Sequence, residues 1–153
     1  MKIDIFGEEL DKQGNLLTIK HTETLSYSPA FSFLLRRLAE LIENNHGAPT
    51  RTWNDDECGI IWAENNGIIC GIFAYSRENI HIYKKLSICL TAVDKEYRGR
   101  GIHAILNKYF EDIAKNLGCI KTEAKVNPKN TVRLETAKKD GLQIKYKEMY
   151  KQL

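Results

Sequence analysis

The stretch Thr91-Ala-Val-Asp-Lys-Glu-Tyr-Arg-Gly-Arg-Gly-Ile-His103 brings an apolar, strand-like run to a stop and, after one turn, opens an amphipathic helix. Gly99 and Gly101 take side chains out of that turn. The backbone N–H groups that begin the helix can therefore converge on an anion, favoured by the positive end of the helix dipole. Arg98 and Arg100 add fixed positive charge, so a phosphate suits the turn. It is not a P-loop, because no Gly-Lys-Ser/Thr ending follows. Nor is it the dinucleotide fingerprint Gly-x-Gly-x-x-Gly, which fails at Ala104.

Around this turn lies a chain of 153 residues, enough for one domain with a real core and short for two, so residues 1–153 are expected to form a single domain. An apolar content of 42% with 28% charged residues is that of a soluble globular protein. No apolar run approaches the roughly 18 residues a membrane helix needs, and Met1-Lys-Ile-Asp-Ile-Phe-Gly7 has no signal-peptide pattern, which points to the cytoplasm. The net charge of +3 is too mild to argue for nucleic acid, and an anionic ligand accounts for it equally well. Cys58, Cys70, Cys89 and Cys119 are widely spaced, without a Cys-x-x-Cys pair or a His cluster. They read as small reduced hydrophobes, and no metal site is expected.

Taken in order, Met1 to Asn15 is ambiguous and the first clear strand is Leu16 to Thr24. Ser28-Pro29 caps a helix with a stripe at Leu34, Leu35, Leu38, Leu41 and Ile42, stopped at Asn44-Asn45-His46-Gly47. Asp55-Asp56-Glu57 is a solvated loop or an acidic lure for a cationic amine. Gly59 to Ala63 and Ile68 to Tyr75 flank Asn66-Gly67, a hairpin signal, and a second turn at Ser76-Arg-Glu-Asn79 leads into a strand from His81 to Val93. Ile102, Ile105, Leu106, Tyr109, Phe110, Ile113 and Leu117 mark one helix face, Glu111 and Lys115 pair on the other, and Gly118 closes the helix. Cys119 to Val126 is a strand parallel to the one before the helix. Asn130 to Lys139 is a short helix, and Leu142 to Leu153 a last strand.

Strand, Arg98-Gly-x-Gly-Ile turn and helix together resemble motif A of the GNAT superfamily of acyl-CoA-dependent N-acetyltransferases, Arg/Gln-x-x-Gly-x-Gly/Ala, with His103 departing from it. Val93 to Gly101 is similar to the family's Val-x-Pro-Glu-Tyr-Arg-Gly-x-Gly, and Asn130, Lys139 and Gly141 match its downstream Asn-x-x-Ala-x-x-Leu-Tyr-x-Lys-x-Gly-Phe. The order of elements agrees over nearly the whole chain. The resemblance implies an α/β (α+β) fold, a mixed and mainly antiparallel central sheet with helices on both faces. It implies acetyl-CoA as co-substrate, bound by Ala92, Val93, Arg98, Gly99, Arg100, Gly101, Ile102, His103 and Asn130, and direct transfer of the acetyl group to a primary amine. His103 either donates a hydrogen bond to the pyrophosphate or crowds it.

The family's general-acid Tyr falls on Ala137, and its base has no clean counterpart, since Ser87 or Lys125 stands near the positions it uses. Glu123, on the side of its strand shared with Lys125, and His81, of the side-chain type whose ordinary pKa is nearest neutrality, are the catalytic candidates. The alternative is a GNAT-like domain that binds CoA without transferring acetyl. The amine is left open among peptide N-termini, lysine, polyamines, aminoglycosides and modified bases, and a homodimer is compatible with the sequence.

Overall fold

The computed structural model describes residues 4–25, 28–43, 57–80, 83–124 and 131–143. Strands β1 (Asp4–Leu10), β2 (Leu16–Thr22), β3 (Cys58–Asn65), β4 (Ile68–Ile80), β5 (Tyr83–Val93) and β6 (Lys121–Ala124) form one six-stranded sheet in sequential order. Every pair is antiparallel except β5 with β6. Helices α1 (Phe31–Glu43), α2 (Ile102–Asn116) and α3 (Thr131–Lys139) complete the described elements. The expected mixed, mainly antiparallel sheet is thus observed.

Strand side chains alternate between faces, and β3 and β4 feed two cores. Ile61, Phe73 and Tyr75 pack with Ile102, Leu106 and Phe110 of α2. Ile60, Trp62, Ile72 and Ala74 pack with Ala30, Phe33 and Leu34 beside α1 on the opposite face. Helices therefore cover both faces, as expected. The buried face of α1 is rotated from the anticipated stripe, because Leu35 is 46% exposed while Ala30, Phe33 and Leu34 are buried. Ser28 Oγ accepts from the Ala30 N–H at 3.0 Å, which is the cap read from Ser28-Pro29.

Turn chemistry decides several boundaries. Asn66 (φ 50°) and Gly67 (φ 79°) connect β3 to β4 with two left-handed residues, as a type I′ hairpin requires. Gly118 (φ 74°) ends α2, with Cys119 N–H donating to Ala114 O and Gly118 N–H to Lys115 O, a Schellman pair. Gly141 and Leu142 close α3 in the same way.

The structure corrects four expectations. Asp4 to Leu10 is a strand, at the sheet edge, where a register shift between Ile5 and Gly7 interrupts the alternation that would have marked it. Ser76 to Asn79 is not a turn: β4 continues to Ile80, pairing Ser76 with Ser87 and Arg77 with Leu86. The segment has no Gly or Pro to break a strand, and cross-strand partners on β5 carry its ladder. Glu111 accepts from Asn107 Nδ2 at 3.2 Å rather than pairing with Lys115. Leu142 and Gln143 are not in a strand, while the rest of the expected last strand, like Asp55, Asp56, His81, Lys125 and Asn130, lies outside the described residues.

On the α2 face His21 is 5% exposed, with Nε2 2.6 Å from Tyr75 Oη and its ring stacked on Phe6 at 4.8 Å. Burial pushes the imidazole below its ordinary 6.5, opposed by the charges of Glu23 and Asp4. The folded state then holds fewer protons than the unfolded one. Stability is full above about pH 6.5 and is lost as the pH falls toward the depressed folded value. We expect chemical denaturation to give a lower unfolding free energy at about pH 5.5 than at about pH 7.5, and His21→Phe to flatten that slope. An unaltered slope in the variant would assign the acid sensitivity to other groups.

Candidate functional site

Beyond Val93 the chain makes a single 3-10 turn, Lys95–Tyr97, capped by Asp94, and then the two glycines, Gly99 at φ 78° and Gly101 at φ 83°. A side chain is strained at such φ, so the glycines let the backbone fold tightly into α2. Gly101 occupies the N-cap position in the left-handed region, and no side chain caps the helix. The first-turn N–H groups are thus left to a ligand or to water.

They open into a cleft of about 180 Å³ lined by Val93, Tyr97, Arg98, Gly99, Gly101, Ile102 and His103. Apart from Tyr97, each of these residues is one that the sequence resemblance assigned to acetyl-CoA. Arg98 Nε donates to Val93 O at 3.2 Å, which folds its guanidinium over the strand end at the cleft mouth.

Ala92 and Arg100 do not line the cleft. The Ala92 side chain is buried in the α1-side core. Arg100 is turned toward the β1–β2 turn: Nη2 donates to Glu96 O at 2.9 Å, Cζ stands 4.7 Å from the Tyr97 ring centroid, and Nη1 is 3.9 Å from Asp11 Oδ2. Buried Asp11 also accepts from the Gln13 and Asn15 N–H groups. Burial alone would raise its pKa, but these hydrogen bonds and the Arg100 charge hold it below the usual value.

His103 belongs to the cleft wall. Nε2 is 2.7 Å from Asp140 Oδ2, the ring lies 5.8 Å from that of Phe73, and Arg133 Nη1 stands 3.7 Å from the same carboxylate oxygen. The first turn of α2 is thereby tied to the end of α3, and Nδ1 is the nitrogen that remains for a ligand.

The other end of the site is the edge of β5 that faces away from β4. Among the described residues, pairing of β5 with β6 covers Lys85 to Ile88 against Lys121 to Ala124. One residue later β5 bulges: Ala74 pairs with Leu90 and Tyr75 with Ile88, so Cys89 is the extra residue. Asp94 N–H donates to Cys70 O on β4. By the two-residue period Ala92 also hydrogen-bonds toward β4, while Thr91 and Val93 turn their N–H and C=O groups to the side away from β4. From Cys89 to Val93 is about 13 Å at ~3.3 Å per residue.

Glu123 lies opposite Ser87, just before the bulge, with Lys85 Nζ 2.5 Å from its Oε2. Tyr97, the bulge at Cys89 and the contact of Asp140 with His103 have no short-range sequence signal. The bulge is a pairing irregularity inside an uninterrupted apolar run, and His103 and Asp140 are 37 positions apart.

Cys58 and Cys70 are buried free thiols, and burial pushes Cys70 up to about 11. Among the described residues no three His, Cys, Asp or Glu side chains cluster, and no helix is long and apolar enough to cross a membrane.

The model of the acetyltransferase (GNAT) family matches residues 22–141. No curated protein matches the sequence at a significant level. Among solved structures, an aminoglycoside acetyltransferase, meta-AAC0020, from an uncultured soil metagenomic sample superposes with a TM-score of 0.70 at 15% identity, over 90% of this chain and 96% of that one. The aminoglycoside N-acetyltransferase AAC(6')-Iy in complex with CoA gives 0.66 at 16% identity, over 88% and 98%. The ribosomal-protein-alanine N-acetyltransferase from Brucella melitensis biovar Abortus 2308 gives 0.68 at 13%, over 90% and 99%.

Proposed function

Since the chain belongs to the GNAT family of acetyltransferases, we propose that it moves an acetyl group from acetyl-CoA directly to a primary amine. The observation that carries this reading is the alignment of an uncapped, glycine-opened helix start with a strand that bulges at Cys89 and, among the described residues, pairs with β6 only as far as Ile88. Such a site suits a ligand with phosphates at one end and an amide-rich arm leading to a thioester. The first-turn amides of α2 and Arg98 would take the pyrophosphate, with His103 Nδ1 beside it. Thr91 and Val93 would hydrogen-bond the arm as an added strand would, which moves the expected Ala92 contact to its neighbours.

The thioester would then stand near the bulge, with its carbonyl polarised by a backbone N–H of β5. The amine lone pair attacks the carbonyl carbon, the C–N bond forms, the C–S bond breaks, and the thiolate leaves with CoA. Orientation of the two reactants supplies much of the acceleration. Glu123, close to the bulge on β6, is the base we assign for the ammonium proton.

The test is release of free CoA from acetyl-CoA in the presence of an amine panel that includes an aminoglycoside and a peptide N-terminus. Amine-dependent release is expected. Slow release independent of amine would replace transferase by CoA-binding module.

Arg98 and Arg100 should also separate. Arg98→Ala is expected to weaken CoA binding about tenfold by calorimetry, the usual size for a charge-assisted hydrogen bond. Arg100→Ala should cost less affinity and lower the melting temperature instead, since its partners are Glu96, Tyr97 and Asp11. Equal losses of affinity would mean that both arginines act only through diffuse charge.

A further inference from the structure

The turn between β1 and β2 docks on the phosphate turn. Lys12 N–H donates to Arg100 O at 2.9 Å, and Asp11 reaches Arg100 from the same turn. The Lys12 side chain then lies flat over Gly101: a Cβ on that glycine would stand 3.3 Å from Lys12 Cε and 3.5 Å from its Cγ. Its ammonium, one bond beyond Cε, is therefore beside the uncapped start of α2. The nearest acid in sequence, Asp11, is turned inward and engaged by Gln13, Asn15 and Arg100. The family match begins at residue 22, so this turn is an addition to the matched region.

We infer that Lys12 is a phosphate-binding residue: the N-terminal hairpin carries a second cation, besides Arg98, to the anion site at the start of α2, where it contacts a phosphate of CoA. The inference rests on the CoA reading above. A Cβ at position 101 would press on the Lys12 stem, which would have to give by a few tenths of an ångström. Lys12 thus gives the hairpin a role in the site as well as in the sheet. Both ends of the anionic portion of CoA, the pyrophosphate and the 3′-phosphate, present the same chemistry to an ammonium, and the experiment distinguishes them.

Calorimetric titration of CoA and of dephospho-CoA into the unsubstituted protein, Lys12→Ala and Lys12→Glu tests it. Lys12→Ala should weaken CoA binding about fivefold, the upper range for a partly solvated ion pair, and Lys12→Glu more than about tenfold because it also places a like charge at the site. The melting temperature without ligand should be unchanged, as the docking bond comes from the backbone N–H. A loss that vanishes with dephospho-CoA assigns Lys12 to the 3′-phosphate, and one that persists assigns it to the pyrophosphate. Unchanged CoA affinity in both variants, with normal binding by the unsubstituted protein, overturns the role of Lys12 alone. Failure of the unsubstituted protein to bind CoA overturns the CoA reading itself.

Discussion

In a Gly101→Asp variant, CoA should leave the melting temperature where it is, whereas at about a hundred times its dissociation constant it should stabilise the unsubstituted protein by about 2.7 kcal/mol, a rise of several degrees. Aspartate is ordinarily a favoured N-cap, but only with extended backbone. Gly101 sits at φ 83°, where a side chain costs roughly 1–2 kcal/mol and cannot turn its carboxylate onto the helix amides. The new Cβ would also press on the Lys12 stem, and the carboxylate would pair with that ammonium at the place meant for a phosphate. Three effects thus act in one direction: strain, displaced cation and like charge. Gly101→Ala separates them, because it keeps the strain and omits the charge, so it should retain part of the CoA shift. A full CoA shift in Gly101→Asp would mean that the ligand does not approach the start of α2.

Turnover in Glu123→Gln should fall about 10²-fold with CoA affinity intact, the usual contribution of a general base. Gln keeps the size of the side chain and most of its hydrogen bonding but cannot hold the ammonium proton. The Lys85 partner makes the control necessary, since the substitution removes one charge from a partly buried pair. Some loss of melting temperature is therefore expected, and the rate is to be compared below both transitions. With no tyrosine at position 137, whose alanine is buried in α3, the rate should rise with pH and then level off. A CoA thiolate leaves without a proton, since free thiols titrate near 8.5. A falling alkaline limb would reveal an acid from elsewhere in the chain, and an unchanged rate in Glu123→Gln would remove that residue from the site.

Where backbone conformation is written into residue type, the fold could be read from the sequence. Asn66-Gly67, Gly118 and Gly141 each mark a left-handed residue, and each lies at the turn it announces. The phosphate turn was legible for the same reason, as Gly99 and Gly101 combine left-handed φ with a neighbouring arginine. What escaped depends on partners distant in sequence. β1 is held by pairing with β2 and by Tyr109, whose hydroxyl would touch a Cβ on Gly7 at 2.7 Å, and no local pattern announces either contact. The polar end of β4 is a strand only because β5 lies beside it. Arg98 and Arg100 look alike in the sequence, and it is the contacts with Glu96 O, the Tyr97 ring and Asp11 of the first hairpin that hold one of them away from the cleft.

The sequential strand order has a kinetic side. The β1–β2, β3–β4 and β4–β5 hairpins join through short connections, so these pairings can form locally with little loop entropy to overcome. Two closures are non-local: β3 must return past α1 to pair with β2, and β6 past the whole of α2 to pair Lys121 with Lys85. The second of these closures brings Glu123 beside the bulge, so the base proposed for the reaction joins the proposed site only once the chain has run through the phosphate turn and α2.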